Sequence, residues 1–493
     1  MAYLCATLAI DNGKLTIDNY QSINYQTIHC PLLIVNCQFI IMLFTRRPSA
    51  LRSKLFKLTG PIFLETLLML TLGVVDTLML SHYSDNAVAA VGVVNQLLNM
   101  VFLLFNITTV GTAVMCALYF GAKDTKSFTQ VVGVSLLFNA LVGLTISLAL
   151  TFGGEQMLVW MDIRPDLMPM ALTYMKIVGG FGFFQAISFT VSAVLRAANK
   201  PNYAMQVTFA INILNIFGNY ALIFGHFGFP ALGVEGAAIS TSLSRGVAML
   251  LLFIVLFKRL IRRMPLEYFR PFPFQKLRDV IKIGMPSAFE QISYDASQVC
   301  VVYFINMLGN EVLAARVYVM NIVIIGYIFS LAMASATSVC TGNLVGAGKK
   351  QAAYVLSWYA WKRSLLVTFV ASTGVYLCGR FLLGCFTENE VIIQIAMSAL
   401  LIDILLEHGR ATVLMFLFCL RSVGDVIVPV LIEIVCMWVF AVTCGYIFGI
   451  AMGFGLAGIW LALAMDEGSR GIVLGLRWRT QRWKRKDLLR KNS

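Results

Sequence analysis

The sequence predicts an all-α polytopic membrane protein: twelve transmembrane helices in two six-helix lobes that repeat one another. Three observations predict it. Hydrophobic residues make up 59% of the 493-residue chain and charged residues 13%, against about 25% charged in a soluble domain. Apolar runs recur from residue 58 to residue 476, each near the roughly 20 residues a spanning helix needs. The chain also superposes on itself at an offset of 225 residues. The runs are continuous rather than alternating, which excludes a barrel, and only helices or closed barrels satisfy their backbone in lipid.

The spans fall near 58–80, 91–118, 129–152, 167–192, 203–225, 231–257, 281–307, 313–341, 354–378, 389–419, 427–449 and 452–476. Residues 1–50 form an N-terminal segment without a clear pattern, 51–257 the first lobe, 258–280 a basic linker, 281–476 the second lobe and 477–493 a basic tail. The linker carries seven basic residues against Glu267 and Asp279. Positive charge concentrates on cytoplasmic segments, so the linker, the tail and the residues before the first span are expected in the cytoplasm, with both termini on that side. The net charge of +14 then follows from membrane topology, and no nucleic-acid partner is expected. The lack of long polar domains leads us to expect a bacterial plasma (inner) membrane with the lipid bilayer as its surroundings, an expectation that rests partly on family resemblance.

The repeat is carried by residue types that chance similarity between apolar helices would not match. Lys57 falls on Lys282, Pro61 on Pro286, Glu65 on Glu290, Gly121-Ala122 on Gly346-Ala347, Leu195-Arg196 on Leu420-Arg421 and Arg245 on Arg470. With an even number of spans per half, the two copies enter the membrane from the same side, as parallel repeats about an axis along the membrane normal. Such folds hold a solute between the halves and rock one against the other, which implies a transporter.

Enzyme chemistry has little to stand on. Eleven cysteines are scattered without a CxxC pair, and four histidines include no HExxH. Gly346-Ala347-Gly348-Lys349-Lys350 fails the phosphate-loop pattern, because Asn343 sits where the first glycine belongs and Lys350 replaces Ser or Thr. No cofactor is expected, and no metal beyond a sodium ion at Asp76 as an alternative to a proton.

Ionisable residues inside a membrane are costly and mark solute or ion paths. Glu65 and Asp76 share the first span, eleven residues apart, which returns to nearly the same helix face. Pro61 lies one turn before Glu65 and invites a bend. Asn212, Asn215 and Asn219 share one face of the fifth span. A carboxylate with amide oxygens is a hard-oxygen set suited to an alkali cation or a buried proton. Burial disfavours the charged form of a carboxylate, which makes Asp76 a candidate proton carrier. The site is not duplicated, since Asp76 falls on Val301 and Asn219 on Cys444. The second half instead offers Glu290, Asp295, Asp403 and Glu407 as a substrate or second acidic site, with Arg410 on the same stripe as Asp403 and Glu407. Glu290, Tyr294, Asp295 and Gln298 are expected to face the central cleft.

The chain resembles the multidrug and toxic compound extrusion (MATE) family of cation-coupled exporters over about residues 51–480. The likeness rests on Gly73-Val74-Val75-Asp76-Thr77-Leu78-Met79-Leu80, on Asn215-Ile216-Phe217-Gly218-Asn219, and on the paired Leu195-Arg196-Ala197-Ala198-Asn199 and Leu420-Arg421-Ser422-Val423-Gly424-Asp425. Glu407-His408-Gly409-Arg410-Ala411 and Asp466-Glu467-Gly468-Ser469-Arg470 look like markers of one bacterial branch. The resemblance implies export of small organic, often cationic, compounds against inward protons or sodium ions, by a monomer, with Asp76 as the coupling residue. Two other readings stay open on sequence alone: a lipid-linked precursor flippase of related two-lobe fold, and an intramembrane enzyme built around His408.

Overall fold

The computed structural model of the chain describes residues 50–485. The expectations for residues 1–49 and for the end of the tail lie outside the described residues. The first lobe contains α1 (Ala50–Ser81), α2 (Asp85–Ala122), α3 (Thr125–Trp160), α4 (Met168–Tyr174), α5 (Gly182–Ala197), α6 (Pro201–Phe224) and α7 (Val234–Arg259). The second contains α8 (Phe274–Met307), α9 (Asn310–Gly346), α10 (Lys350–Leu377), the short α11 (Gly379–Gly384), α12 (Glu390–Ser422), α13 (Ile427–Cys436) and α14 (Gly455–Arg479).

Among the described residues, eight helices are long and apolar enough to cross a membrane. A ninth span is made by α4 and α5, bent by 46° where the π-helical turn Met175–Gly179 meets Gly180 and Gly182. In the eleventh span, α13 continues through π-helical turns at Met437–Cys444 and Ile447–Ala451. The remaining three spans, α8, α10 and α14, all lie in the second lobe and are more polar, because each carries several charged residues. Together these make twelve spans in two lobes. Pro61 sits within α1, which runs unbroken as helix from Ala50 to Ser81.

The linker is shorter than its charge pattern suggests. Pro271 and Pro273 end the extended stretch, and α8 begins at Phe274, several residues before the apolar run. The linker is tied down by Gln130, whose Nε2 donates to the Tyr268 carbonyl at 2.7 Å.

Loop geometry repeats with the sequence. Left-handed residues end the second and eighth spans at Lys123 and Gly348, and follow the fourth and tenth spans at Asn199 and Gly424. Each pair is 225 residues apart, although a side chain stands in one copy and glycine in the other.

The lobes also exchange roots. Val280 and Ile283, at the start of α8, are buried in the apolar core formed by α2, α3 and α5 of the first lobe. Their repeat partners Leu55 and Leu58, at the start of α1, are buried in the core formed by α9, α10, α12 and α14 of the second. These approaches need glycine. A Cβ on Gly284 would lie 1.6 Å from the Ile107 carbonyl oxygen, and one on Gly111 would lie 2.1 Å from that of Val280. On the pseudo-twofold axis, Gly342 faces its own counterpart Ala117, and a Cβ there would meet the alanine methyl at 2.8 Å. Gly121 and Gly346 make equivalent backbone approaches, to Asn343 and Leu118. The crossing of α2 with α9 therefore closes the central cleft at the end that bears the linker. Lys276 reinforces it, donating to the Tyr119 hydroxyl at 2.6 Å and to Ser127 at 3.2 Å, as does Asn343, donating to Asn199 at 3.0 Å.

Candidate functional site: a paired cleft and two unlike lobes

Above that closure lies a cleft of about 450 Å³ between the lobes, whose polar lining includes Glu65, Asn106, Arg196, Glu290, Gln291 and Arg421. Glu65 of α1 is 2% exposed and receives a 2.7 Å bond from Arg196 of α5. Glu290 of α8 is paired with Arg421 of α12. These ion pairs are the same pair twice, since both members are displaced by 225 residues. The repeat shows each of the four residues, but not that they meet, because each pair joins residues 131 positions apart. The pairs leave Oε2 of Glu65 and Nε of Arg421 buried without hydrogen-bond partners.

The first-lobe site lies farther along α1. Asn219 of α6 donates from Nδ2 to Oδ1 of Asp76 at 2.7 Å and to Oδ1 of Asn215 at 3.1 Å. Asn215 donates to the Thr241 hydroxyl of α7 at 3.4 Å. Close approach of α6 to α7 at Gly218, where a Cβ would lie 2.5 Å from Oγ of Ser240, brings the two faces together. Asn212 is buried with its neighbours but is used differently, donating to the Leu68 carbonyl at 2.7 Å and joining α6 to α1. The expected asparagine face thus divides into one helix-joining residue, Asn212, and two in the site, of which Asn219 bonds Asp76 and Asn215 bonds Asn219 and Thr241. The oxygen Oδ1 of Asn219 is buried without a partner. One carboxylate, amide oxygens and a hydroxyl fit a proton or an alkali ion. No group of three or more His, Cys, Asp or Glu side chains able to hold a metal ion occurs among the described residues.

The second lobe holds a larger charge network. Arg470 of α14 binds Glu433 at 2.7 Å, Asp466 at 2.7 Å and Glu467 at 3.1 Å. Glu467 also approaches Arg410 of α12 at 3.6 Å, and Arg410 pairs with Glu407 one turn away. Asp403 accepts from the Trp460 indole at 3.3 Å. Asp403, Glu407, Glu433, Asp466 and Glu467 are all buried, and Arg410 and Arg470 are the two arginines bonded within this set. An uncompensated charge in such surroundings is strongly unfavourable. Glu433, Glu467, Arg410 and Arg470 line a pocket of about 410 Å³ that also includes Glu290.

Of the second-lobe candidates, Asp403 and Glu407 stand in this network, and Glu290 lies at the cleft beside it. Asp295 does not join them. It is exposed and accepts from Gln291 of its own helix at 3.1 Å, and it lines neither the cleft nor the second-lobe pocket. Asp295 lies five residues beyond Glu290, about 500° of helix rotation, which turns it well away from the Glu290 face. Gln298 and Tyr294 face the small pocket beside Arg470, within the lobe rather than the cleft. Glu433 is one of the ionisable residues that the sequence shows within the second-half spans, without being assigned to the site; Asp466 and Glu467 are missed as site members as well. Their signal was present in the Asp466-Glu467-x-x-Arg470 spacing, which sets two acids within a turn of an arginine on a membrane helix. The imidazole of His408 bonds to the Ile404 carbonyl at 2.5 Å and packs on Phe369, so it is turned away from the network.

A two-lobe, twelve-span bundle with a polar cleft between repeats defines a membrane transporter. The MatE family model matches twice, over residues 61–221 and 286–447, and the two matches start 225 residues apart. The chain belongs to this family of multidrug efflux transporters; it is not an enzyme. It is 38% identical over 443 residues to the uncharacterized transporter YisQ of Bacillus subtilis, covering 90% of this chain and 97% of YisQ. It is 26% identical over 447 residues to the probable multidrug resistance protein NorM of Thermotoga maritima, covering 89% and 94%. In fold it is similar to an outward-facing multidrug resistance MATE transporter of the MOP superfamily, with TM-score 0.79 and 22% identity, over 89% of this chain and 98% of that one. A MOP superfamily transporter from Pyrococcus furiosus matches with TM-score 0.78 and 22% identity, over 88% and 96%.

Proposed function

We propose that this transporter is an antiporter that exports organic, mainly cationic, compounds in exchange for inward protons or sodium ions, by alternating access. The observation that carries the reading is the Asp76 site. A lone carboxylate on α1 accepts from Asn219, beside a buried amide oxygen that lacks a partner. A cation arriving there would satisfy both oxygens, and its binding would bias the arrangement of α1 against α6 and α7. Each charge that crosses 100 mV supplies about 2.3 kcal/mol, enough for roughly fifty-fold accumulation.

Glu65 and Glu290 bound the cleft through which substrate passes, and Asp403 and Glu407 belong to an acidic set that takes up a second cation. In this reading both termini and the linker are cytoplasmic, in a bacterial inner membrane, and the chain works as a monomer. The cleft, closed at the linker end, then faces outward. Family membership argues against the flippase and enzyme readings.

The test is export of a fluorescent organic cation, read as efflux from energised cells or as uptake into energised inverted vesicles, with proton and sodium gradients collapsed separately, for the wild type and Asp76→Asn. Loss of efflux on collapse of one gradient, and in the variant, supports antiport and names the ion. Gradient-driven efflux that persists in Asp76→Asn overturns the assignment of Asp76.

A further inference from the structure

Arg245 of α7 and Arg470 of α14 are repeat partners, and the two lobes hold them in opposite ways. Arg470 is 3% exposed and gives its guanidinium to three carboxylates. Arg245 forms no ion pair and no hydrogen bond among the described residues, and its Nη1 is buried without a partner. Its Cζ stands 5.5 Å from the centroid of the Phe102 ring. Arg245 lies one turn beyond Thr241 on α7, the hydroxyl at the end of the hydrogen-bonded chain that runs from Asp76 through Asn219 and Asn215, so its charge stands on the same helix face as the Asp76 site.

A guanidinium keeps its charge under all ordinary conditions. A half-buried, unpaired one is costly to maintain, so its presence next to the Asp76 site calls for an explanation. At this position it attracts Asp76 and repels any other cation that comes to the same carboxylate. The hydrogen-bonded groups of the site are neutral: Asn219 of α6, which bonds Asp76, Asn215 behind it, and Thr241 of α7, which accepts from Asn215. A transport site must bind its ion well enough to fill and loosely enough to empty.

We propose that Arg245 is a fixed counter-cation that weakens the hold of Asp76 on the coupling cation, and so positions the site between filling and release. The proposal rests on reading Asp76 as the coupling carboxylate. In the second lobe, Arg470 is paired with three acids of its own through Nη1 and Nη2 and has no such role.

The experiment uses the full-length protein in proteoliposomes and follows ethidium transport. External pH is varied without sodium, and sodium is varied at fixed pH, for the wild type, Arg245→Gln, Arg245→Lys and Asp76→Asn. Arg245→Gln is expected to lower the concentration of the coupling cation at half-maximal transport about tenfold, with a lower maximal rate because release slows. Arg245→Lys retains the charge and is expected to stay within about threefold of the wild type. If Asp76→Asn abolishes coupled transport while Arg245→Gln leaves half-saturation unchanged, the role of Arg245 is overturned and Asp76 keeps its own. If Asp76→Asn retains coupled transport, the reading of Asp76 fails first and this proposal with it. Should Arg245→Gln not be recovered folded, Arg245→Lys decides: a tenfold shift there would show that shape rather than charge sets the affinity.

Discussion

Arg196 reaches Glu65 across 2.7 Å at the floor of the cleft, and the repeat reproduces this contact as Arg421 on Glu290. A paired arrangement of this kind neutralises the cleft without emptying it of charge. Removing one partner leaves the other buried and alone, which costs about 3–5 kcal/mol. Glu65→Gln and Arg196→Met are each expected to lower thermal stability in detergent. The double variant should recover part of the loss, with a coupling energy of about 1–3 kcal/mol in a double-mutant cycle. Strict additivity would show that the contact contributes nothing.

The second-lobe network is expected to be less forgiving. Arg470→Leu strips Glu433, Asp466 and Glu467 of their shared cation and should sharply reduce the folded protein recovered from membranes. Adding Asp466→Asn and Glu467→Gln removes two of the three charges that the arginine balanced. Partial recovery of monodisperse protein in the triple variant is the expected outcome, read by size-exclusion chromatography.

The closure at the linker end depends on glycine. A Cβ on Gly346 would lie 2.0 Å from the Leu118 carbonyl oxygen, which is backbone and cannot rotate away. Gly346→Val is expected to wedge α2 from α9 and open the cleft at that end. A cysteine placed at Ser335, on the cleft lining, should then react faster with a membrane-impermeant thiol reagent added from the linker side, while transport falls at least tenfold.

Asp124 caps α3 by accepting from the Ser127 N–H at 3.0 Å. Partial burial pushes its carboxyl up, but hydrogen bonds from Ser127 and Lys126 and the Lys276 charge outweigh it and hold the carboxyl below its ordinary value of 3.8. The sign follows from linkage: the cap's contribution is fully present above that ordinary value and is lost as pH falls through the lower folded one. Asp124→Ala is therefore expected to destabilise by about 0.5–2 kcal/mol at neutral pH, and the difference from the wild type should vanish only in strong acid.

Much of the architecture was legible because duplication leaves marks that hydropathy alone does not. Pro61 on Pro286 and Leu195-Arg196 on Leu420-Arg421 fixed the offset, and the paired left-handed turns at Lys123 and Gly348 confirm it in backbone form. The Asp76 face was legible in part, since a four-residue spacing puts Asn215 and Asn219 on one side of α6, where both reach the site. The charge network was not. Glu433 to Arg470 and Arg410 to Glu467 are joined only by the packing of α12, α13 and α14, which no local period encodes. Asp295 was misplaced because polarity marks a helix as wet on some face without saying which. The linker was overdrawn because charge, rather than the stop at Pro273, set its end.

The crossed burial of Leu55 and Val280 bears on how the halves could have arisen. Each half, made alone, would lack the neighbour's leading helix and expose an apolar groove where that helix belongs. Two copies of an ancestral half could fill both grooves by trading their first helices, so a homodimer would have been complete before any fusion of genes. Cutting the present chain within the linker should leave two fragments that need one another at the moment of membrane insertion, and not merely afterwards.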